Sequence, residues 1–260
     1  MRKLLVLASD MTGKETGKMK QLRRGYEPED EKEFGEEALA ILSRAGEDIR
    51  YLLNQGYHIA GAVTFVCNHY RLSKRQRIAL IRFSASDEAI RSRKAKEIVD
   101  GCRNKTLNID GFNTIITLEV ALSGSPVILC RDGALRDLAG LRGTYHPIDK
   151  TVMALTMIGE FLEKEKAGRA VFYLDAPVSN SGRLGAVIKE ELAKYSFITE
   201  VHCINEVDRV LKGLECVVTA DYAILDRTKS YFNLNSFLVS EGISDLWLVD
   251  FLGGNSGKVN

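Results

Sequence analysis

LNIDGFNTIITLEVALSGSPVILC, Leu107 to Cys130, decides how the rest of the chain is read. Its first four residues, Leu-Asn-Ile-Asp, read as a short strand that ends in Asp110, and Gly111 follows as a breaker. From Asn113 to Leu122 the apolar residues recur at helical spacing. Ser123-Gly-Ser interrupts that pattern before a second apolar run, Pro126 to Cys130. Strand, helix and strand in that order point to a parallel sheet, because parallel neighbours need a long crossover. The texture then continues. Apolar runs at Ala170–Asp175, Ile198–Ile204, Cys216–Thr219 and Leu246–Asp250 alternate with helical patterns at Lys150–Lys166, Ser181–Tyr195 and Glu206–Lys212. We expect residues 106–260 to form an α/β domain, a parallel sheet with helices on both faces in three layers.

Upstream the chain reads as helical. EEALAILSRAGEDIRYLLNQGY stops near Gly56, a second helix covers Ile59 to Tyr70, and Ser73 is placed to cap a third, KRQRIALIRF. A fourth is expected from Asp87 to Val99, with GCRNKT as a linker. This divides the chain into a charged N-terminal segment, 1–34, a basic helical module, 35–105, and the α/β domain.

The net charge of +1 hides strong segregation. Residues 1–26 hold seven Lys/Arg and two acids, whereas residues 27–48 hold nine acids and two bases. Residues 57–105 carry a net +7 and residues 106–260 a net −5. Local charge decides which polyanions can dock, so the basic module is the candidate nucleic-acid surface. No apolar run is long enough to span a bilayer, and the apolar patch near the N-terminus is too short for a convincing signal peptide. The expected location is the cytoplasm, with no membrane partner. Five widely spaced cysteines without a C-x-x-C pair fit buried thiols in a reducing compartment.

In an open parallel sheet, ligands bind at the carboxyl ends of the strands. Three expected strands end in an acid there: Asp110, Asp175 and Asp221. A fourth acid, Asp208, opens the helix after the strand ending at Ile204. If these strands are neighbours, the four carboxylates meet at one edge. Together in a partly buried site they would stay ionised only beside a cation, and hard oxygen ligands suit Mg²⁺ or Mn²⁺. The plainer alternative is that each aspartate merely caps a helix. Asp226, five residues beyond Asp221, is read as secondary or solvated.

Four segments resemble NYN-type nuclease domains of the PIN-like superfamily. DGFN, Asp110 to Asn113, is similar to their D-G-Y-N opening, and FYLDAPVSNSG, Phe172 to Gly182, falls where they have a second strand ending in Asp. INEVDRVL, Ile204 to Leu211, is similar to the segment in which an acid begins a helix, and VVTADYAILDR, Val217 to Arg227, to a strand ending T-x-D. Over residues 106–228 the resemblance implies a metal-dependent ribonuclease with Asp110, Asp175 and Asp221 as catalytic residues. Asp208 would join them as metal ligands, with Asn113 as a polar neighbour. Residues 123–150 depart from that pattern by inserting an extra strand and CRDGALRDLAGLRGTYH. The whole chain also resembles an archaeal and bacterial family carrying domain of unknown function 434. That likeness rests on NQGYHIAGAVTFVCNHYRLSKRQRIAL and LEVALSGSPVILCRDG.

AVTFVCNHYRLSKRQRIALIRF reads as a helix-turn-helix whose second helix presents Lys74, Arg75, Arg77 and Arg82 to a phosphate backbone. His69 and Tyr70 beside it are candidates for base stacking. Ser179 and Ser181, in the SNSGR turn, are candidate anion contacts before a helix. Glu119 lies mid-helix, and the dipeptides Arg131-Asp132 and Arg136-Asp137 are read as surface ion pairs or phosphate contacts. No Walker A or dinucleotide fingerprint is present, and the four histidines form no triad-like arrangement. The leading expectation is a metal-dependent phosphodiester hydrolase acting on RNA. A non-catalytic nucleic-acid-binding protein and a small-molecule phosphohydrolase with the same acids stand as alternatives. The oligomeric state stays open, a homo-oligomer included.

Overall fold

A computed structural model describes residues 23–140 and 143–253, with the backbone alone at 256–259. Most of the charged N-terminal segment, residues 1–22, lies outside the described residues. The helical part comprises α1 (Asp30–Glu33), α2 (Glu36–Asn54), α3 (Ile59–His69), α4 (Lys74–Phe83) and α5 (Asp87–Lys94). There follow β1 (Thr106–Asp110), α6 (Gly111–Leu122), β2 (Pro126–Leu129), β3 (Leu135–Asp137), α7 (Asp149–Lys164), β4 (Arg169–Asp175) and α8 (Ser181–Leu192). The chain continues through β5 (Ile198–Ile204), α9 (Val207–Leu211), β6 (Val217–Val218), α10 (Tyr222–Leu225), α11 (Leu234–Ser240), β7 (Leu246–Asp250) and β8 (Ser256–Val259).

The helices form where apolar spacing and caps agree. α2 buries Leu39, Leu42, Ala45, Gly46 and Ile49, one stripe at helical spacing. Gly46 is needed there, because a Cβ would lie 2.9 Å from the Phe83 ring of α4. α4 opens with the expected cap as a reciprocal pair: the Gln76 N–H donates to the Ser73 hydroxyl, and the Ser73 N–H to the Gln76 side chain. α5 ends at Lys94, earlier than expected, and β6 is only two residues long, starting after Cys216 at φ +51° and stopping before Thr219.

Four strands form the expected parallel sheet, in the order β5-β4-β1-β6. The remaining strands do not join it. β2 and β7 pair parallel with each other, and antiparallel β3 and β8 flank them in a second sheet, β3-β2-β7-β8. The expected single sheet is therefore two, and the 123–150 insertion contributes a hairpin to the second. α6 packs against strands of both sheets. Every residue from Gly111 to Ala121 except Asn113 is buried, as a helix covered on all sides requires.

The helical part shares its core with the second sheet. Leu42, Ile49, Val63, Leu80 and Phe83 belong to one apolar cluster with Ile128, Trp247, Val249 and Phe251. A buried ion pair reinforces this join. Arg75 donates from Nε to Asp30 Oδ1 at 2.8 Å and from Nη1 to the Leu138 carbonyl at 2.7 Å. Arg75 is 8% exposed and Asp30 fully buried, so Arg75 is withdrawn from the proposed nucleic-acid face. Its sequence neighbours gave no hint of this, because a cation and a buried acid 45 residues apart read on paper as two surface charges. Cys203 and Cys216 also depart from expectation: Cys203 is exposed and Cys216 half-buried.

Asp30→Ala should remove the buried anion from the Arg75 guanidinium, leaving only the exposed Glu27 carboxylate 3.2 Å from Nη1, and lower stability by about 3–5 kcal/mol. Urea unfolding followed by circular dichroism measures this; a loss under about 1 kcal/mol, the worth of an exposed pair, would contradict the buried geometry.

Candidate functional site

The parallel register of β6, β1, β4 and β5 brings their carboxyl ends to one edge of the sheet. Asp110 is the last residue of β1 and Asp175 the last of β4. Asp221 follows β6, and Asp208 lies in the first turn of α9, after β5. All four line one cleft of about 630 Å³ together with Asn113. A fifth acid, Asp137 of β3, enters from the second sheet. Lys74 and Arg82 of α4 line the same cleft, with Ile78 between them.

Hydrogen bonds tie the DGFN turn to the TAD turn. Thr219 donates its hydroxyl to Asp110 Oδ2 at 2.8 Å, and the Ala220 N–H donates to Asn113 Oδ1 at 2.7 Å. The Asp221 N–H in turn donates to Thr219 Oγ1 at 3.1 Å. Gly111 makes this approach feasible: a Cβ there would lie 2.5 Å from Leu174 Cδ2 and 3.1 Å from the Tyr173 carbonyl of β4. Both aspartates also cap helices. Asp110 accepts the Asn113 N–H at 3.4 Å and Asp221 the Ala223 N–H at 2.7 Å. Capping and lining the cleft are thus compatible roles.

Electrostatics follow from burial. Asp110 is 8% exposed, and its pKa is pushed up from 3.8 to about 7. Desolvation is the largest cause, with Asp221 and Asp175 adding repulsion against the bonds from Thr219 and Asn113. Asp175 is raised too, by burial and then by Asp208, while the Val207 N–H opposes the rise. Asp208 is the most open of the four and lies 3.9 Å from Lys212 Nζ. The donor chemistry, oxygen atoms from several carboxylates, suits a hard divalent cation. Among the described residues no three acidic, histidine or cysteine side chains already stand at metal-holding spacing, so the carboxylates share the cleft without closing on a point.

Other expected site residues fall elsewhere. Asp226 ion-pairs with Arg93 at 2.7 Å, outside the cleft. Ser179 accepts the Tyr145 N–H at 3.0 Å, and the Ser181 hydroxyl lies 3.5 Å from the Ala176 carbonyl; neither lines the cleft. Arg77 donates to Asn68 at 2.9 Å, and Tyr70 to Asp48 at 2.8 Å. The two Arg-Asp dipeptides are largely interior: Asp132, Arg136 and Asp137 are buried, and Arg136 pairs with Asp132 at 2.7 Å. Glu119 faces no solvent. It pairs with Arg24 at 2.8 Å and accepts hydroxyls from Tyr145 and Thr151. Sequence reading places Asp137 in a surface ion pair or phosphate contact and not among the acids, because the carboxyl-end rule covers parallel strands and β3 is antiparallel.

Residues 99–237 match the family model described as Domain of unknown function (DUF5616), and residues 41–96 the model described as Protein of unknown function (DUF434). An uncharacterized protein of Methanocaldococcus jannaschii is 39% identical over 186 residues, which cover 71% of this chain and 88% of that protein. No solved structure matches the chain. The aspartates of the cleft come from the first matched region, and Lys74 and Arg82 from the second.

Because burial raises the Asp110 pKa, the folded state binds that proton more tightly than the unfolded chain does. The wild type should therefore lose stability relative to Asp110→Asn as pH rises from about 4 to about 7, by up to about 4 kcal/mol. Urea unfolding of both proteins in chelator between those pH values reads the gap; a pH-independent gap would contradict it.

Proposed function

We propose that this chain, which belongs to the family described as Domain of unknown function (DUF5616), is a metal-dependent phosphodiester hydrolase acting on RNA. One observation carries the reading: carboxylates and cations share a cleft without neutralising each other. Lys74, Ile78 and Arg82 are spaced four residues apart and line the cleft from one face of α4. Neither Lys74 nor Arg82 forms a salt bridge among the described residues, although five aspartates line the same space. A phosphodiester needs both kinds of group. Its non-bridging oxygens need cations, and its hydrolysis needs oxygen ligands for a metal.

In this reading Asp110, Asp175 and Asp221 would hold the cation, with Asp208 as a more solvated fourth ligand. Bound Mg²⁺ or Mn²⁺ would supply Lewis-acid polarisation of the phosphate and a water acidic enough to attack near neutral pH. The chain's own residues do the rest. Thr219 and Asn113 fix the Asp110 carboxylate and the turn that bears Asp221. Lys74 and Arg82 bind phosphate oxygens and orient the strand. Phe112, Ile116 and Leu138 give the cleft an apolar wall that excludes water and can take a sugar or base. Among the described residues no histidine lines the cleft, so general acid-base work falls to carboxylates and water. The resemblance to NYN-type nucleases and the basic α4 favour RNA.

A second reading has one observation in its favour. A cleft of about 630 Å³ is within the range of small-molecule sites, which suits a phosphorylated metabolite.

The test is cleavage of labelled single-stranded RNA with Mn²⁺ or Mg²⁺. Asp110→Asn and Asp221→Asn should each slow it about 10²–10³-fold or more. Lys74→Ala and Arg82→Ala should each weaken binding and reduce the salt slope by about one. Metal-dependent turnover of phosphomonoesters but not RNA would favour the metabolite reading, and RNA binding without turnover in any divalent metal would leave only a binding protein.

A further inference from the structure

The helix that Asp221 begins is only four residues long, too short to hold itself. Arginines grip it at both ends. Arg136 donates Nε–H to the Ala220 carbonyl, immediately before Asp221, at 2.6 Å. Arg93 donates Nε–H and Nη2–H to the carboxylate of Asp226, which closes the helix, at 2.7 and 3.1 Å. Both guanidiniums meet on one acid. Asp132, 2% exposed, accepts from Arg136 at 3.0 and 2.7 Å and from Arg93 at 2.7 Å. Arg136 also reaches the other wall of the cleft, donating Nη1–H to the Arg82 carbonyl in the last turn of α4 at 3.0 Å.

We propose that Arg136, Asp132, Arg93 and Asp226 form a positioning clamp that holds Asp221 and Arg82 at a set separation across the cleft. The four groups are balanced in charge, two cations against two anions. Only Asp226 reaches solvent, with 42% of its side chain exposed. The forked geometry of arginine is required, since a lysine could not serve Ala220, Arg82 and Asp132 at once. None of the four touches the space where a phosphate would lie. Their effect passes through the backbone of the residues that do. What is positioned matters for chemistry only if the cleft works as proposed above, so this inference rests on that reading.

Three variants of the full chain test it: Asp226→Ala at the solvated end, Arg136→Lys at the hub, and Glu200→Gln. The last breaks the exposed Arg169–Glu200 pair, far from the clamp, and serves as the control. Asp226→Ala carries the test if Arg136→Lys does not fold. Three quantities are read: amide hydrogen exchange, Mn²⁺ affinity and the urea midpoint. Asp226→Ala should speed exchange at Ala223 to Leu225 about tenfold or more. It should weaken Mn²⁺ binding about 10–100-fold, the usual effect of losing a group that orients ligands, with little change in midpoint. Arg136→Lys should extend faster exchange to residues 82–84, and Glu200→Gln should leave both exchange and Mn²⁺ binding unchanged. Unchanged exchange around Asp221 overturns the clamp whatever the metal does. Faster exchange with unaltered Mn²⁺ affinity, in a protein that binds Mn²⁺ through Asp110, also overturns it while the proposed function stands. A wild type that binds no Mn²⁺ sinks the proposed function instead, and exchange at the two ends of the bridge then decides the clamp alone.

Discussion

Register is the constraint on which the cleft depends. β1 lies hydrogen-bonded between β4 and β6 and all three run the same way, so their final residues end at one edge. Leu107 and Ile109 of β1 point into the core, and a slip of one residue would turn them out and carry Asp110 to another place. The chain pins this alignment beyond the sheet ladder. Thr219 to Asp110 and Ala220 to Asn113 are bonds between residues more than a hundred positions apart, made at the point where the strands stop. An acid at the end of a buried strand is costly. Here that cost is concentrated at Asp110, where desolvation and two neighbouring carboxylates act together.

The second sheet gives the cleft its opposite wall. Its β3 supplies Asp137, and through Ile128, Trp247 and Val249 it carries the helical part that brings Lys74 and Arg82 over the acids. Buried ion pairs then fix how the parts lie against each other. Arg75 with Asp30 joins α4 to α1 and, through the Leu138 carbonyl, to the residue after β3; Arg24 with Glu119 joins the segment before α1 to α6; and Arg136, paired with Asp132, joins β3 to the Ala220 carbonyl before α10. Such pairs add little net stability compared with apolar packing, but breaking one is expensive, so they favour a single arrangement of the parts.

Much of this was legible in the sequence. Alternating apolar runs and helical patterns foretold the parallel sheet, the rule about carboxyl ends singled out the four aspartates that line one cleft, and Ser73 announced the start of α4. The missed features share a cause. Arg75, Asp132 and Glu119 look like ordinary surface charges because hydropathy does not reveal their distant partners Asp30, Arg93 and Arg24, and those partners decide whether a charge can be buried. The second sheet was hidden for a related reason: β2 and β7 are as apolar as the main strands, and strand composition does not say which sheet a strand enters. Asp226 reads from the sequence as secondary to the acids or solvated, and the structure places it beyond a helical turn, facing Arg93.

The shared core between the helical part and the second sheet has a practical consequence. The chain's single tryptophan, Trp247 of β7, is 4% exposed within that core. Its emission is therefore a built-in optical gauge of the seam, free of interference from any other indole. A red shift would signal that the basic helices have lifted from the sheet, carrying Lys74 and Arg82 off the acids, even while the parallel sheet beneath stays folded.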